Sequence, residues 1–284
     1  KRRSGDRKMK SAWNIAKREF VSFFVTPSGY VVLGLIALLT GTAFVLSFLT
    51  YVQISQSPFQ FGYTMVPDFE ETFLSPYFVF CGIVIMFLSP LITMRLISEE
   101  YHKGTMELLL TYPLRDRDII FGKFGSALAL LLLAVGLIAI NVFLLLPFTD
   151  MEWSVFLFGL CSVFLMGMAI LSLGLFISSL ITYPITAGLV SFGVYLLLFI
   201  VGNVAEKMPQ KTSLPNTFPG FLRGSVENVY WLFRSLLLEL PLDNHAKNMA
   251  LGIFEPKDIM YYLLCTAFFV FLTFRALESR NWRK

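Results

Sequence analysis

The sequence predicts an all-α, polytopic membrane protein, and three observations predict it. Of the 284 residues, 56% are hydrophobic and only 15% charged, with a mean hydropathy of +0.69. A soluble domain carries roughly a quarter charged residues and has no single core able to hide this much Phe, Leu and Ile. Several apolar runs reach the roughly 20 residues that a helix needs to cross a bilayer. Lys and Arg gather beside those runs, at 1–10, at Lys17-Arg18, within 95–123 and at 275–284, as cytoplasmic flanks do. The expectation is six transmembrane helices in one domain over 1–284, with an N-terminal in-plane amphipathic helix and external helices before the last span. A net charge of +4 placed this way points to the lipid bilayer and not to nucleic acid as a partner.

Residues 11–25 set Trp13, Ala16, Phe20 and Phe23 or Phe24 at three- and four-residue steps, with Asn14, Lys17, Arg18 and Ser22 elsewhere on the wheel. That pattern predicts an interfacial helix, its aromatic side in lipid and its basic side on anionic headgroups. Trp13, Lys17, Arg18 and Phe20 are its candidate contact residues. The basic, amphipathic start does not read as a cleavable signal peptide. Thr26-Pro27-Ser28-Gly29 breaks the chain before span one, about 30–52, where Gly34 and Gly41 permit close helix approach. The loop 53–71 has no Lys or Arg but carries Asp68, Glu70 and Glu71, so it is expected outside.

Span two covers about 73–94, with Pro90 expected to kink its last turn. Span three runs about 119–147. Spans four (153–177) and five (184–205) are separated by a short turn at Ser178-Ser179 and Thr182-Tyr183-Pro184. Residues 206–257 form the longest polar segment. Within it, 225–240 is amphipathic, with Trp231, Phe233 and Leu236 against Glu227, Arg234 and Glu239, and 243–251 adds a short helical piece. A span there would bury Arg234 and Glu239, so an external in-plane helix is expected. Span six, about 258–277, returns the chain to the side on which it started.

No catalytic apparatus is evident. Gly122-Lys123-Phe124 lacks the glycine spacing and the hydroxyl of a phosphate-binding loop. His102 and His245 fall on opposite sides of the expected membrane, and neither H-E-x-x-H nor G-x-S-x-G occurs. Cys81, Cys161 and Cys265 lie singly in separate apolar runs and read as small buried hydrophobes. No metal ligand set, no cofactor of the chain's own and no enzymatic activity are expected. The span interiors offer Asn141, Ser162, Ser172 and scattered Thr, without an ionisable group. Ion-coupled carriers usually need one there. Sodium can bind neutral oxygens, so a secondary carrier or channel stays open as an alternative, as does a membrane anchor for a motility or secretion machine. Uphill transport would draw its free energy from another polypeptide.

The one densely charged segment between two apolar runs is 95–123, RLISEEYHKGTMELLLTYPLRDRDIIFGK. Ser98-Glu99-Glu100 reads as a helix start, with Ser accepting from unpaired N–H groups and acids at the positive end of the helix. Tyr112-Pro113 ends that piece. The pattern Glu99-Glu100, Gly104-Thr105-Met106-Glu107-Leu108-Leu109, Pro113 and Gly122-Lys123 resembles the permease subunits of type 2 ABC exporters (the ABC-2 superfamily), over almost the whole chain. The C-terminal part, from His245 through Gly252-Ile253-Phe254-Glu255-Pro256-Lys257-Asp258-Ile259 to Leu277-Glu278-Ser279-Arg280-Asn281-Trp282, looks most like the gliding-motility-associated subgroup.

The resemblance implies a coupling segment at 98–118, helical over about 98–111, that docks in a groove of a separate ABC ATPase. Glu99, Glu100, Tyr101, His102, Lys103, Gly104, Thr105 and Glu107 are its expected contacts. It also implies two ATPase copies that bind ATP and Mg, and a second permease copy or a related permease. An extracytoplasmic accessory protein is a further expected partner. The location it implies is the inner membrane of a prokaryote, with both termini cytoplasmic. Spans one, two and five would line the path, and the aromatic external helices would cap it.

Overall fold

The computed structural model describes residues 2–61, 68–105, 116–145, 152–209, 220–253 and 255–281. Among them there are helices and no strand. The helix expected to lie in the membrane plane is α1 (Arg2–Val25), and span one is α2 (Pro27–Gln56). Between them Thr26 leaves the helical conformation, and its hydroxyl donates back to the Ser22 carbonyl at 3.0 Å. Pro27 opens α2, where a missing N–H costs nothing and the ring presets φ. Gly29 is required by packing: a Cβ there would run into the Phe23 backbone carbonyl.

Span two begins with a π-helical turn, Glu70–Leu74, and continues as α3 (Ser75–Thr93), with Pro90 inside its last turn. A turn leads to the short α4 (Ser98–His102). Spans three to five are α5 (Asp116–Phe143), α6 (Trp153–Leu180) and α7 (Pro184–Lys207). Two helices follow, α8 (Gly220–Glu239) and α9 (Leu242–Ala250), before span six, α10 (Pro256–Asn281). Six of these segments are long and apolar enough to cross a membrane. The end of the bundle where span one starts and span six finishes is called the near end below.

Span four is the axis of the bundle. It is 72% buried, against 22% for spans one and six and 28% for span five. Small residues let its neighbours close in. A Cβ on Gly167 would lie 2.6 Å from the Leu131 side chain, and one on Gly174 would lie 2.5 Å from Thr93 Oγ1. Glycine at such contacts maximises van der Waals approach, the main attraction left between helices once lipid replaces water.

Three expectations change. The aromatic side of α1 does not face outward as a whole: Ile15 and Phe23 are buried and Phe20 and Phe24 pack on the core, leaving Trp13, at 70%, as the one strongly exposed aromatic among its described residues. The physical reason is α5, where Gly125 sits opposite Ala16 and lets α1 lie against span three. The helix expected over 98–111 is interrupted: α4 covers Ser98–His102, Gly104 takes a left-handed φ of +67°, Thr105 is helical again, and 106–111 lie outside the described residues. The external helix starts earlier than expected, at Gly220. Trp231, Phe233 and Leu236 are exposed along it, while Arg234 Nε donates to the Met208 carbonyl at 3.3 Å.

Candidate docking site at the near end

The short helix α4 owes its position to three neighbours. Its first N–H groups need acceptors. The sequence nominates Ser98 as its own cap, but the acceptor comes from span four. Ser178 Oγ accepts from the N–H of Ile97 at 3.2 Å and of Ser98 at 3.1 Å, and donates to Ser98 Oγ. The Ser98 hydroxyl is thereby free to donate back to the Met94 carbonyl. On a second side, the His102 ring lies 5.3 Å from that of Tyr183, in the turn between spans four and five.

The third restraint is ionic. Lys123, about two turns into span three, is 1% exposed. Its ammonium sits 2.9 Å from Glu100 on α4 and 3.4 Å from Glu19 on α1. Arg18 closes the ring, 3.1 Å from Glu19 and 4.0 Å from Glu100. Two cations thus meet two carboxylates, and each of α1, α4 and α5 contributes. A buried ammonium is tolerable only when paired this way, since its desolvation costs several kcal/mol. One atom is left over: Glu100 Oε2 is buried and has no hydrogen-bond partner among the described residues.

Of the expected contact residues, Glu100 therefore points into the bundle and Tyr101 packs on the core. His102, Lys103, Gly104 and Thr105 are exposed, and Glu99, half-buried, holds Lys103 at 2.6 Å. An exposed i,i+4 pair of this kind contributes about 0.3–0.5 kcal/mol, so its charges are available to a partner at little cost. Glu107 lies outside the described residues. Lys17 and Arg18 are exposed on α1 beside this patch. Sequence reading missed Glu19 and Ser178, and it saw Lys123 only as part of a motif. A signal existed, since Glu19 is the only acid between Arg7 and Pro67.

A model of the ABC-2 family transporter proteins matches residues 13–276. The chain belongs to the ABC-2 transporter family. No curated protein matches it. Members of the ABC-2 family are membrane permease subunits, without enzymatic chemistry of their own, that work with an ABC ATPase. In this ABC-2 permease, the near-end patch is an ionic assembly that ties several helices to an exposed helical tip.

A second polar cluster lies at the opposite end. His245 Nδ1 is 2.7 Å from Asp258 Oδ1, and its Nε2 is 3.1 Å from the Glu239 carbonyl. The ring stacks on Tyr261 at 4.0 Å. Nearby Asp243 is buried, and that burial pushes its carboxyl above the usual range. This cluster pins α8 and α9 to the start of span six. The expected external residues Trp231 and Phe233 stand outside it, on the exposed stripe of α8.

Proposed function

We propose that the near end faces the cytosol and that α4, with its exposed tip at 102–105, docks on a separate ABC ATPase. The observation that carries this reading is the ionic ring at Lys123. A push on α4 reaches Glu100, from there the buried ammonium on span three, and through Glu19 the in-plane helix. An ordinary solvated loop would have no reason to hold a buried lysine between three helices. The working unit would be two permease copies with two ATPase copies that bind ATP and Mg. It would act as an exporter in the inner membrane of a prokaryote, near the gliding-motility-associated subgroup by its C-terminal pattern. The exposure of spans one and five supports their facing a second copy or the path. Span two, 61% buried within its own chain, would contribute one edge at most.

The test is a charge swap at the tip, Glu99→Lys with Lys103→Glu, which preserves the local pair. The doubly substituted permease is expected to insert and fold as wild type but to lose the stimulation of ATP hydrolysis that coupling provides in proteoliposomes. Normal transport and normal coupling by the swapped protein would overturn the docking role. Transport by the permease with no ATPase present would favour a carrier or channel instead.

A further inference from the structure

Arg95 has a feature that the docking reading does not use. It lies at the near end of span two, half-buried, and its Nη1 donates to Ser28 Oγ at 2.6 Å. A guanidinium carries five N–H donors. Nε and Nη2 have no acceptor among the described residues, and neither is among the atoms sealed from the surface. No carboxylate of the described residues lies within salt-bridge distance of Arg95, although Arg18 and Lys123, close by in the fold, are both paired. A cation at this depth is normally paired or hydrogen-bonded.

Ser28 also lines a narrow apolar crevice. Phe23 of α1, Val32 of α2, Leu91 of α3 and Leu130 of span three form its other walls. The crevice runs from the hydroxyl toward the bilayer core, since Val32 and Leu130 lie further along their spans than Ser28 and Lys123 do. Leu91 and the neighbouring Val31 are exposed on the lipid side. Tyr30, two residues after Ser28, is 61% exposed and packs edge-on against Phe24, as suits an interfacial aromatic. An unpaired fork of donors above an apolar crevice matches one kind of molecule, with a phosphate at one end and hydrocarbon at the other.

We propose that Arg95 and Ser28 bind the phosphate of an anionic glycerophospholipid whose first methylenes lie in this crevice. Arg is suited to the role, because its planar fork takes two phosphate oxygens at once. Exposed Lys17 on α1, for which no carboxylate partner stands among the described residues, adds positive potential at the near end, which favours an anionic over a zwitterionic headgroup. The site would clamp α1, α2 and α3 together at the membrane face, independently of any ATPase.

Native mass spectrometry of the full chain released from nanodiscs tests the assignment, with phosphatidylglycerol, phosphatidylcholine and inorganic phosphate as probes. One phosphatidylglycerol per chain is expected to survive delipidation, with phosphatidylcholine retained about tenfold less, the worth of roughly 1.4 kcal/mol in a charge-assisted contact. Arg95→Gln is expected to abolish retention of phosphatidylglycerol by removing the phosphate contact, and Arg95→Lys to keep part of it. Ser28→Ala, which removes one hydroxyl and leaves the cation, is expected to weaken retention without unfolding the chain, and so guards against an Arg95 variant that misfolds. Equal retention of both lipids, or retention unchanged by Arg95→Gln in a folded chain, would mean unspecific annular lipid and would overturn the site. Inorganic phosphate displacing the lipid at millimolar concentration would assign the pocket to a free anion and overturn the lipid reading.

Discussion

Lys123 shows what one side chain decides in this protein. In sequence it is a charge at the edge of an apolar run, where topology alone would account for it. In the structure it is sealed from solvent between Glu19 and Glu100. Lys123→Met is expected to lower stability by about 2–3 kcal/mol, since it leaves two partly buried carboxylates with the more exposed Arg18 as their remaining cation in the ring. Their residual exposure keeps the cost below that of a fully buried pair. Thermal unfolding of the detergent-solubilised protein measures it, and an unchanged midpoint would show that the ring is ornamental. Ser178 teaches the same lesson in smaller form: its hydroxyl caps a helix some eighty positions away, a partnership that no local pattern announces.

Whole elements differ in how legible they were. The six apolar helices were legible because about 20 apolar residues bounded by polar or Pro-containing turns leave little choice in a bilayer. The break in the charged segment was not legible, since the motif reads straight through Gly104 and only its left-handed backbone shows where α4 stops. The burial of span four was not legible either. Spans one and four are almost equally apolar, yet 22% and 72% of their most apolar stretches are buried. Lipid and protein neighbours are equally apolar, so hydropathy does not tell one from the other. The glycines do. Gly174→Leu is expected to destabilise the bundle by about 1–3 kcal/mol through overpacking against Thr93 and Tyr195. Gly193→Leu on span five, where nothing stands within 4 Å, is expected to be neutral. Equal effects in a thermal-shift assay would remove span four from the axis.

For the molecule as a whole, the unmatched surface is the outer face of spans one, five and six. A two-copy permease would cover part of it. Leu189 on span five is 71% exposed and Leu264 on span six 58%. With Cys81, Cys161 and Cys265 replaced, Leu189→Cys is expected to form an oxidative cross-link between copies in native membranes, and Leu264→Cys is expected to stay monomeric on gels. Cross-linking through Leu264 alone would move the seam to span six.

The sequence by itself determined the class of the molecule, its six spans, its two amphipathic helices and the motif-bearing charged segment, because each rests on periodicity or run length within a short window. The tertiary structure decided which span is central, that α1 lies on span three, and that Glu100 and Lys123 meet Glu19. Those outcomes depend on which apolar surface faces which neighbour and on charges brought together across the fold, and a one-dimensional pattern of apolar residues carries neither.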